Sequence, residues 1–287
     1  MDAIKTTSLT KYYGKSRGIT DMDLTVAQGD FFGFIGPNGA GKSTTIRTLL
    51  GLIAPSDGNA QILGMDIGRQ KEEILSRVGY MPSEASFYRS MRVGDIIKFS
   101  AELRRRDCGA EAKNLCERLE LDMNKKIREL SLGNRKKVSI VCALQHMPEI
   151  CILDEPTSGL DPLMQREFYA ILEERNKGGT TVFVSSHVLS EVQRYCRHAA
   201  VIREGRLLAS DSTERLGHTD AKRVRLRGAK LPLDLAYVKD VQTEGDSVSF
   251  LYGGNLKELL NVLAGMSLTD VSITEPDLEE IFMHYYS

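Results

Sequence analysis

The residues with the clearest chemical capacity form one stretch near the start of the chain, which fits the pattern G-x-x-x-x-G-K-[ST] at every defined position. Glycines in such a stretch let the main chain approach an oxyanion without interference from Cβ atoms, so its N–H groups can form an anion nest. In this arrangement Lys42 reaches the β- and γ-phosphates of a nucleotide, and the hydroxyl of Ser43 holds Mg²⁺. The residues of this predicted phosphate-binding loop, called the P-loop below, are Gly36, Pro37, Asn38, Gly39, Ala40, Gly41, Lys42, Ser43 and Thr44.

The sequence on either side of the P-loop supports this interpretation. The apolar run 31–35 predicts a strand before it, and Ile46, Leu49 and Leu50 predict the apolar face of a helix after it. The phosphates are then expected at a helix N-terminus, where the helix dipole favours negative charge. A glycine-rich turn that matches the pattern by chance is the alternative, and the strand and the helix argue against it.

Two adjacent acidic residues, Asp154 and Glu155, follow the apolar run 150–153. Carboxylates at the end of a buried strand cost free energy unless they serve a cation or a reaction. Ligands of open α/β sheets bind at the carboxyl ends of the strands, and this pair lies at such an end. We therefore expect Asp154 to hold Mg²⁺, directly or through water, and Glu155 to polarise the attacking water. Without the P-loop, a capping role for the pair is an equal alternative.

His187 follows another apolar run, 181–184, after two serines. A histidine after a core strand reaches the same sheet edge as Asp154, where it can contact the γ-phosphate and sense its loss. A single histidine is more often structural, but its position relative to the P-loop and the acidic pair favours the functional interpretation. The histidines without such support are His146, His198, His218 and His284.

The stretch 130–137 reads Leu-Ser-Leu-Gly-Asn-Arg-Lys-Lys. Ser131 is a good N-cap for a helix that continues through Val138 and Val141. Three cations occupy or adjoin the first turn of that helix, where the dipole disfavours each by about 0.3–1 kcal/mol. An anion bound at this helix start relieves the conflict, and since the P-loop already holds phosphates, a second anion site suggests a nucleotide shared between two domains. A solvated basic helix is the alternative.

Composition narrows the class of protein further. The chain has 287 residues and a formal charge of −1, which suits one large or two smaller domains and offers no whole-chain electrostatic case for nucleic acid. The five cysteines form no C-x-x-C pair, so we expect reduced thiols in a cytosolic protein rather than disulfides or zinc. The N-terminus resembles no secretory signal, and no apolar run approaches the ~20 residues that span a bilayer. Any membrane role therefore requires another chain.

The order of the predicted elements indicates an α/β protein with two parts. Strands at 4–11 and 24–27 precede the P-loop strand, and turn residues at 55–58 end the P-loop helix. The segment 77–82 is a strand stopped by its proline. A helical pattern covers the segment from about 84 to 147. The runs 150–153 and 181–184 predict buried parallel strands, and 199–202 with 206–209 predicts a closing hairpin. The tail, predicted to begin at 212, reads strand, strand, helix, strand and helix, the last helix around Leu278 to Tyr285.

Five motifs, taken together, resemble ABC transporter ATPase domains over roughly residues 1–210: the P-loop, the stretch 130–137, Asp154-Glu155, the stretch 158–161, and His187. The resemblance implies a P-loop NTPase core with an antiparallel β subdomain and a helical insertion, plus a small C-terminal α/β appendage. It implies domains at 1–211, with the insertion at about 84–147, and at 212–287. The ending Pro-Asp-Leu-Glu-Glu-Ile-Phe at 276–282 is similar to the C-terminal extension of bacterial exporter-type subunits.

The resemblance also implies roles for single residues. Tyr13 is similar to the aromatic residue that stacks on adenine. Ser131 and Gly133 are similar to the signature motif that closes over the γ-phosphate held by a partner subunit. Asp161 matches the loop that communicates across the dimer, and His187 matches the switch histidine.

Two departures from the family pattern affect these expectations. Leu132 and Asn134 replace a glycine and a glutamine of the usual signature Leu-Ser-Gly-Gly-Gln, while Ser131 and Gly133 remain. Ser83 stands where the family has a glutamine that ligates Mg²⁺ and couples to the permease. Because a serine hydroxyl is shorter, direct ligation by Ser83, a water-bridged contact, or a role for Glu84 instead all stay open.

The function expected from the resemblance is an ATP-binding, Mg²⁺-dependent ATPase subunit of an ABC exporter. It pairs with a second copy or a homologue, drives a separately encoded membrane permease, and lies on the cytoplasmic face of the cell membrane through that permease, with no nucleic acid partner. The alternative is a soluble ABC ATPase in translation or DNA maintenance. Translation-type members usually carry two ATPase modules and chromosome types carry long coiled coils, and neither feature occurs in this sequence. A module that binds ATP without hydrolysing it conflicts with Glu155 and His187.

Overall fold

The computed structural model describes residues 1–14, 16–84, 86–217, 221–228 and 235–276. The chain divides into two compact units, Met1–Thr213 and Glu214–Ser287. The strands of the first unit are β1 (Asp2–Tyr13), β2 (Ser16–Met22), β3 (Thr25–Ala27), β4 (Phe31–Ile35), β5 (Asp57–Ile62), β6 (Met65–Asp66), β7 (Val78–Met81), β8 (Ile150–Asp154), β9 (Thr181–Ser186), β10 (His198–Arg203) and β11 (Arg206–Ser212). Its helices are α1 (Lys42–Leu49), α2 (Lys71–Arg77), α3 (Val93–Leu103), α4 (Gly109–Arg118), α5 (Leu132–Leu144), α6 (Pro162–Lys177) and α7 (Leu189–Tyr195), with a 3₁₀ turn at Ile127–Glu129 and a short helix α8 (Thr213–Leu216) at the boundary.

An antiparallel sheet forms the entry to the first unit, with strand order β2-β1-β5-β6 and β3 paired to β1. The predicted strand at 24–27 is confirmed as β3. The prediction that Asp57 and Gly58 only end the P-loop helix is incomplete, because both residues begin β5. β5 also contains Asn59 and buries only two of its six side chains, so its sequence lacks the apolar pattern that identifies a strand.

The central sheet has the order β11-β10-β4-β9-β8-β7, parallel throughout except for β11. Every residue of β4, β8 and β9 is buried, and the prediction of buried parallel strands at 150–153 and 181–184 is confirmed. The ring of Phe183 stacks on Phe32 at 5.8 Å and lies 5.4 Å from the ring of Phe34. Strand register pairs Ile35 with Ser186, so the carboxyl ends of these strands meet at one edge.

Helices α3, α4 and α5 occupy the segment between β7 and β8, as the predicted helical insertion requires. Gly79 of β7 allows α5 to approach closely, since a Cβ at that position would lie 2.3 Å from the carbonyl oxygen of Ala143. Arg118 of α4 joins this segment to α6, because its Nε lies 2.6 Å from Glu167 and its Nη1 lies 2.6 Å from Glu174.

The second unit contains β12 (Lys222–Arg227), β13 (Val238–Glu244), β14 (Ser247–Tyr252), α9 (Leu256–Ala264) and β15 (Asp270–Thr274). Its antiparallel sheet has the order β13-β14-β12-β15, and its core includes Val224, Phe250 and Leu259. The structure confirms the predicted strands β12, β14 and β15 and the predicted helix α9. β13 was not predicted, because nearly all its side chains are exposed and show no apolar alternation. The predicted last helix lies outside the described residues.

In the described ranges of the chain, no helix is both long enough and apolar enough to cross a membrane.

Candidate active site

The P-loop connects β4 to α1, as its flanking sequence predicts. Gly39 and Gly41 have φ angles of 80° and 111°, in the region that favours glycine, so side chains there would strain the loop. The first intrahelical bond of α1 runs from Thr45 N to Gly41 O at 2.9 Å. The N–H groups of the residues that precede Thr45 thus lie at a helix start, where they suit an anion.

A cavity of about 260 Å³ lies over this loop. Its lining includes most of the P-loop and brings Ser83 and Glu155, from two other segments, to the same space. The lining residues are Gly18, Pro37, Asn38, Gly39, Gly41, Lys42, Ser43, Thr44, Ser83 and Glu155. Lys42 is almost completely buried, and its Nζ donates to the carbonyl oxygens of Gly36 at 2.6 Å and Pro37 at 3.2 Å.

Asp154 lies at the end of β8 and accepts two hydroxyl hydrogen bonds. Ser43 Oγ donates to Asp154 Oδ2 at 2.7 Å, and Ser185 Oγ donates to Asp154 Oδ1 at 2.6 Å. A hydroxyl and a carboxylate are hard oxygen ligands of the kind that Mg²⁺ prefers. In the ranges described, no three His, Cys, Asp or Glu side chains form a metal cluster.

Glu155 occupies the turn after β8 with a φ of 48°, a region sparsely populated by residues other than glycine. Its main-chain N–H donates to Ser185 O at 3.2 Å and Ser185 Oγ at 3.1 Å, which fixes the turn. His187 Nδ1 lies 2.6 Å from Glu155 Oε2. Lys42 Nζ lies 3.0 Å from Glu155 Oε1, which is ion-pair distance, but without hydrogen-bond alignment, so Oε1 is a buried acceptor without an aligned donor. Because Glu155 is among the residues that line the cavity, its carboxylate suits the polarisation of a water held there.

Tyr13 ends β1 and is about half exposed. A Cβ on Gly18 would lie 3.2 Å from the Tyr13 ring and 3.3 Å from Thr44 Cγ2. Gly18 therefore fits between the tyrosine and the end of the P-loop, and the Tyr13 ring lies beside the cavity. The ring also has Lys11 Nζ at 5.7 Å from its centroid.

Ser131 and Gly133 do not line the P-loop cavity of their own chain. Ser131 is the N-cap of α5 as predicted, since its Oγ accepts from Asn134 N at 3.3 Å. A Cβ on Gly133 would lie 2.6 Å from Gly159 O, so the start of α5 packs on the turn 158–161. Asp161 ends that turn and caps α6 by accepting from Leu163 N and Met164 N, as predicted.

The prediction that an anion balances the three cations at the start of α5 is wrong for Lys136. Its side chain is buried, and its Nζ donates to Ser83 O at 2.7 Å. Burial lowers the pKa of Lys136, while the charges of Asp154, Glu155 and Glu84 raise it. This cation therefore has acceptors inside the chain and needs no external anion. Sequence reasoning missed the contact because Ser83 lies 53 residues away.

The fold and the site define a P-loop nucleotide-binding domain, with an acidic pair and a histidine from neighbouring strands facing the phosphate loop. The ABC transporter family profile matches residues 19–158. The bacitracin transport ATP-binding protein BcrA of Bacillus licheniformis is 34% identical over 98% of this chain and 96% of its own length. The linearmycin resistance ATP-binding protein LnrL of Bacillus subtilis is 28% identical over 96% of each chain.

A solved structure of an ATP-binding subunit of an ABC transporter superposes with a TM-score of 0.69 at 27% identity, covering 75% of this chain and 91% of the other. The chain belongs to the ABC transporter ATP-binding family and is an ATP-binding and ATP-hydrolysing transporter subunit. The predicted resemblance and the predicted fold class are confirmed.

Replacing Lys136 by Met is expected to loosen the segment around Ser83. The change leaves Ser83 O without its donor, which lowers the free energy of unfolding by about 1–3 kcal/mol. Lys137→Met is the matched control, because Lys137 is also buried but forms no ion pair or hydrogen bond of its side chain in the ranges described. Thermal unfolding measures the change in stability, and amide hydrogen exchange at Ser83 and Glu84 measures the local loosening. Equal stability and equal amide exchange in the two variants would contradict a stabilising role for the hydrogen bond from Lys136 to Ser83 O.

Proposed function

We propose that this subunit powers export through a separately encoded membrane permease. The observation that carries the catalytic part is that Lys42 and His187 both contact the carboxylate of Glu155, which lines the P-loop cavity. The relatives named for bacitracin transport and linearmycin resistance support the exporter class, and both align along nearly the whole chain. The alternative of a soluble ATPase in translation or DNA maintenance finds no support in these relatives.

We propose that the P-loop holds the ATP phosphates, with Lys42 at the β- and γ-phosphates. The Glu155 carboxylate accepts a hydrogen bond from the attacking water and polarises it as a general base, and His187 orients the Glu155 carboxylate and contacts the γ-phosphate. Tyr13 stacks on the adenine. The half-exposed ring of Tyr13 beside the cavity and the 2.6 Å contact between His187 and Glu155 support these roles.

The proposed Mg²⁺ site consists of Ser43 and Asp154, with Ser83 nearby on the cavity wall. Bound Mg²⁺ supplies charge neutralisation at the phosphates. Ser185 keeps Asp154 in place by donating to its other oxygen. We assign Ser83 a contact through water rather than direct ligation, because its side chain is short.

The proposed active form is a pair of ATPase domains, either two copies or this chain with a homologue. Ser131 and Gly133 lie at an exposed or half-exposed helix start away from their own P-loop cavity, so a second chain is the natural source of the phosphate that they contact. Asp161, at the end of the turn against Gly133, is placed to report that contact. Closure of the pair would drive the permease, and hydrolysis would reopen it.

The proposed domain division is an ATPase domain at 1–211, with the helical insertion at about 84–147, and an accessory domain at 212–287. We place the protein at the cytoplasmic face of the cell membrane through its permease. The permease, not this chain, selects the cargo.

Glu155→Gln is expected to retain ATP binding and lose most turnover, because the amide keeps the size of the side chain but removes the base. Loss of a general base lowers kcat by roughly 10²–10⁴-fold. The variant is also expected to accumulate as an ATP-bound dimer, measured by light scattering with and without ATP. Glu149→Gln, an exposed change at the other end of β8, is the control. Turnover of Glu155→Gln at the wild-type rate would remove Glu155 from the reaction.

Ser43→Ala is expected to raise the Mg²⁺ concentration that gives half-maximal ATPase activity by about tenfold or more, since it removes a ligand. Ser83→Ala should cause a smaller increase, consistent with a water-bridged contact. Ser76→Ala, an exposed serine in α2, is the control. Turnover and Mg²⁺ dependence of Ser83→Ala that match the wild type would exclude Ser83 while leaving Ser43 in place.

A gentle affinity purification from native cells, with membrane and soluble fractions kept apart, tests the export proposal. A polytopic membrane protein is expected to co-purify from the membrane fraction. Recovery from the soluble fraction alone, together with ribosomes or nucleic acid, would leave the ATPase standing and overturn the transport role.

A further inference from the structure

Glu191 lies in the first turn of α7 and is a common acceptor for hydroxyl groups from three other elements. Its Oε2 accepts from Thr157 Oγ1 at 3.1 Å and from Tyr169 OH at 3.0 Å. Ser186 Oγ lies 3.4 Å from the same oxygen. One carboxylate oxygen of α7 therefore contacts the turn after β8, the end of β9 and the middle of α6.

The hydroxyl donors are deeply buried, with 6%, 2% and 2% of Thr157, Tyr169 and Ser186 exposed. A buried hydroxyl without a partner is unfavourable, and a charged acceptor forms a stronger bond than a neutral one. The single proton of Ser186 serves either Glu191 or Val188 O, which is also 3.4 Å away. Thr157 and Tyr169 thus form the constant part of the network.

The two turns that Glu191 joins carry Glu155 and His187. Thr157 belongs to the same turn as Glu155, where Ser158 N donates to Glu155 O at 3.4 Å. Ser186 directly precedes His187, and its carbonyl oxygen accepts from Gly36 N at 3.4 Å. A shift of Glu191 would therefore change the distance between the Glu155 carboxylate and the His187 ring.

Tyr169 anchors the network to the body of the domain. Its ring stacks on Tyr195 of α7 at 3.8 Å with an interplanar angle of 8°. Burial, followed by the charge of Glu191, raises the pKa of Tyr169, so that its hydroxyl remains a proton donor. Glu191 thus accepts a hydrogen bond from a buried side chain that is packed against Tyr195 of the same helix, α7.

We propose that Glu191 is a positioning residue for ATP hydrolysis, which fixes the turn of Glu155 against the turn of His187 without contacting the nucleotide. This assignment rests on the roles proposed above for Glu155 and His187. Small displacements of reacting groups are costly, since a misplacement of about 1 Å can lower a rate roughly 10²-fold.

Glu191→Ala is expected to lower kcat for ATP about tenfold or more, with the affinity for ATP little changed. Glu191→Gln keeps an acceptor oxygen at the same distance from the main chain and should recover much of the lost kcat. If Glu191 acted only through its negative charge, the amide would not restore kcat. Gln193→Ala, an exposed change two residues along the same helix, is the control and should match the wild type. A Glu191→Ala variant with wild-type kcat would overturn the proposal.

Thr157→Val removes one donor at nearly constant volume and completes a double-mutant cycle with Glu191→Ala. If the two residues act through their shared bond, the double variant loses little more kcat than the single ones; fully additive losses overturn the proposal. If Glu191→Ala does not fold, Thr157→Val alone decides, because an unchanged kcat then overturns it and a reduced kcat with intact ATP binding supports it. Glu155→Gln, assayed in parallel, distinguishes failure of the proposed function from failure of this inference. Wild-type turnover of Glu155→Gln would mean that the roles proposed for Glu155 and His187 fail. Loss of turnover in Glu155→Gln together with wild-type turnover in Glu191→Ala would mean that only the inference about Glu191 fails.

Discussion

The carboxylate of Asp154 is the point on which the rest of the site depends. It accepts from Ser43 at the start of α1 and from Ser185 at the end of β9, so one buried side chain joins the P-loop helix to two strands. These bonds are possible because β4, β8 and β9 are parallel neighbours whose carboxyl ends share an edge. The same register brings Glu155 within reach of Lys42 and His187. A shift of any of these strands along its neighbour would separate the groups.

Much of this arrangement could be predicted, because the relevant signals are local. β4, β8 and β9 each contain a continuous apolar run. The P-loop and the acidic pair follow two of these runs directly, and His187 follows the third after two serines. The caps Ser131 and Asp161 were recognised for the same reason, since a cap depends on the residues beside it. β2, β5 and β13 were missed because all three carry polar or turn-forming residues, and β5 and β13 also bury few or no side chains. Pairing with neighbours, rather than their own pattern, holds them in the sheets.

The contacts that sequence reasoning could not find are those between distant segments. Lys136 meets the Ser83 carbonyl across 53 residues, and Glu191 meets Thr157 across 34 residues and Tyr169 across 22. Nothing in the local pattern distinguishes these charges from solvated ones. A run of cations at the start of α5 indicated an anion, but for Lys136 the structure provides acceptors within the chain. The charge conflict at Lys136 is therefore relieved within the chain.

The contact between Gly133 and Gly159 links the start of α5 to the start of α6, and Arg118 links α6 to α4. No side chain separates the start of α5 from the turn that leads into α6, so the two main chains are in direct contact and a movement of one presses on the other. α6 has 16 residues and is about 24 Å long, and its far part is tied through Glu174 to Arg118 of α4. If α6 tilts by a few degrees about its start beside Gly133, its far part beside Arg118 moves by about an ångström or more. A small movement at the start of α5 can therefore be transmitted through α6 to α4 and the rest of the helical insertion.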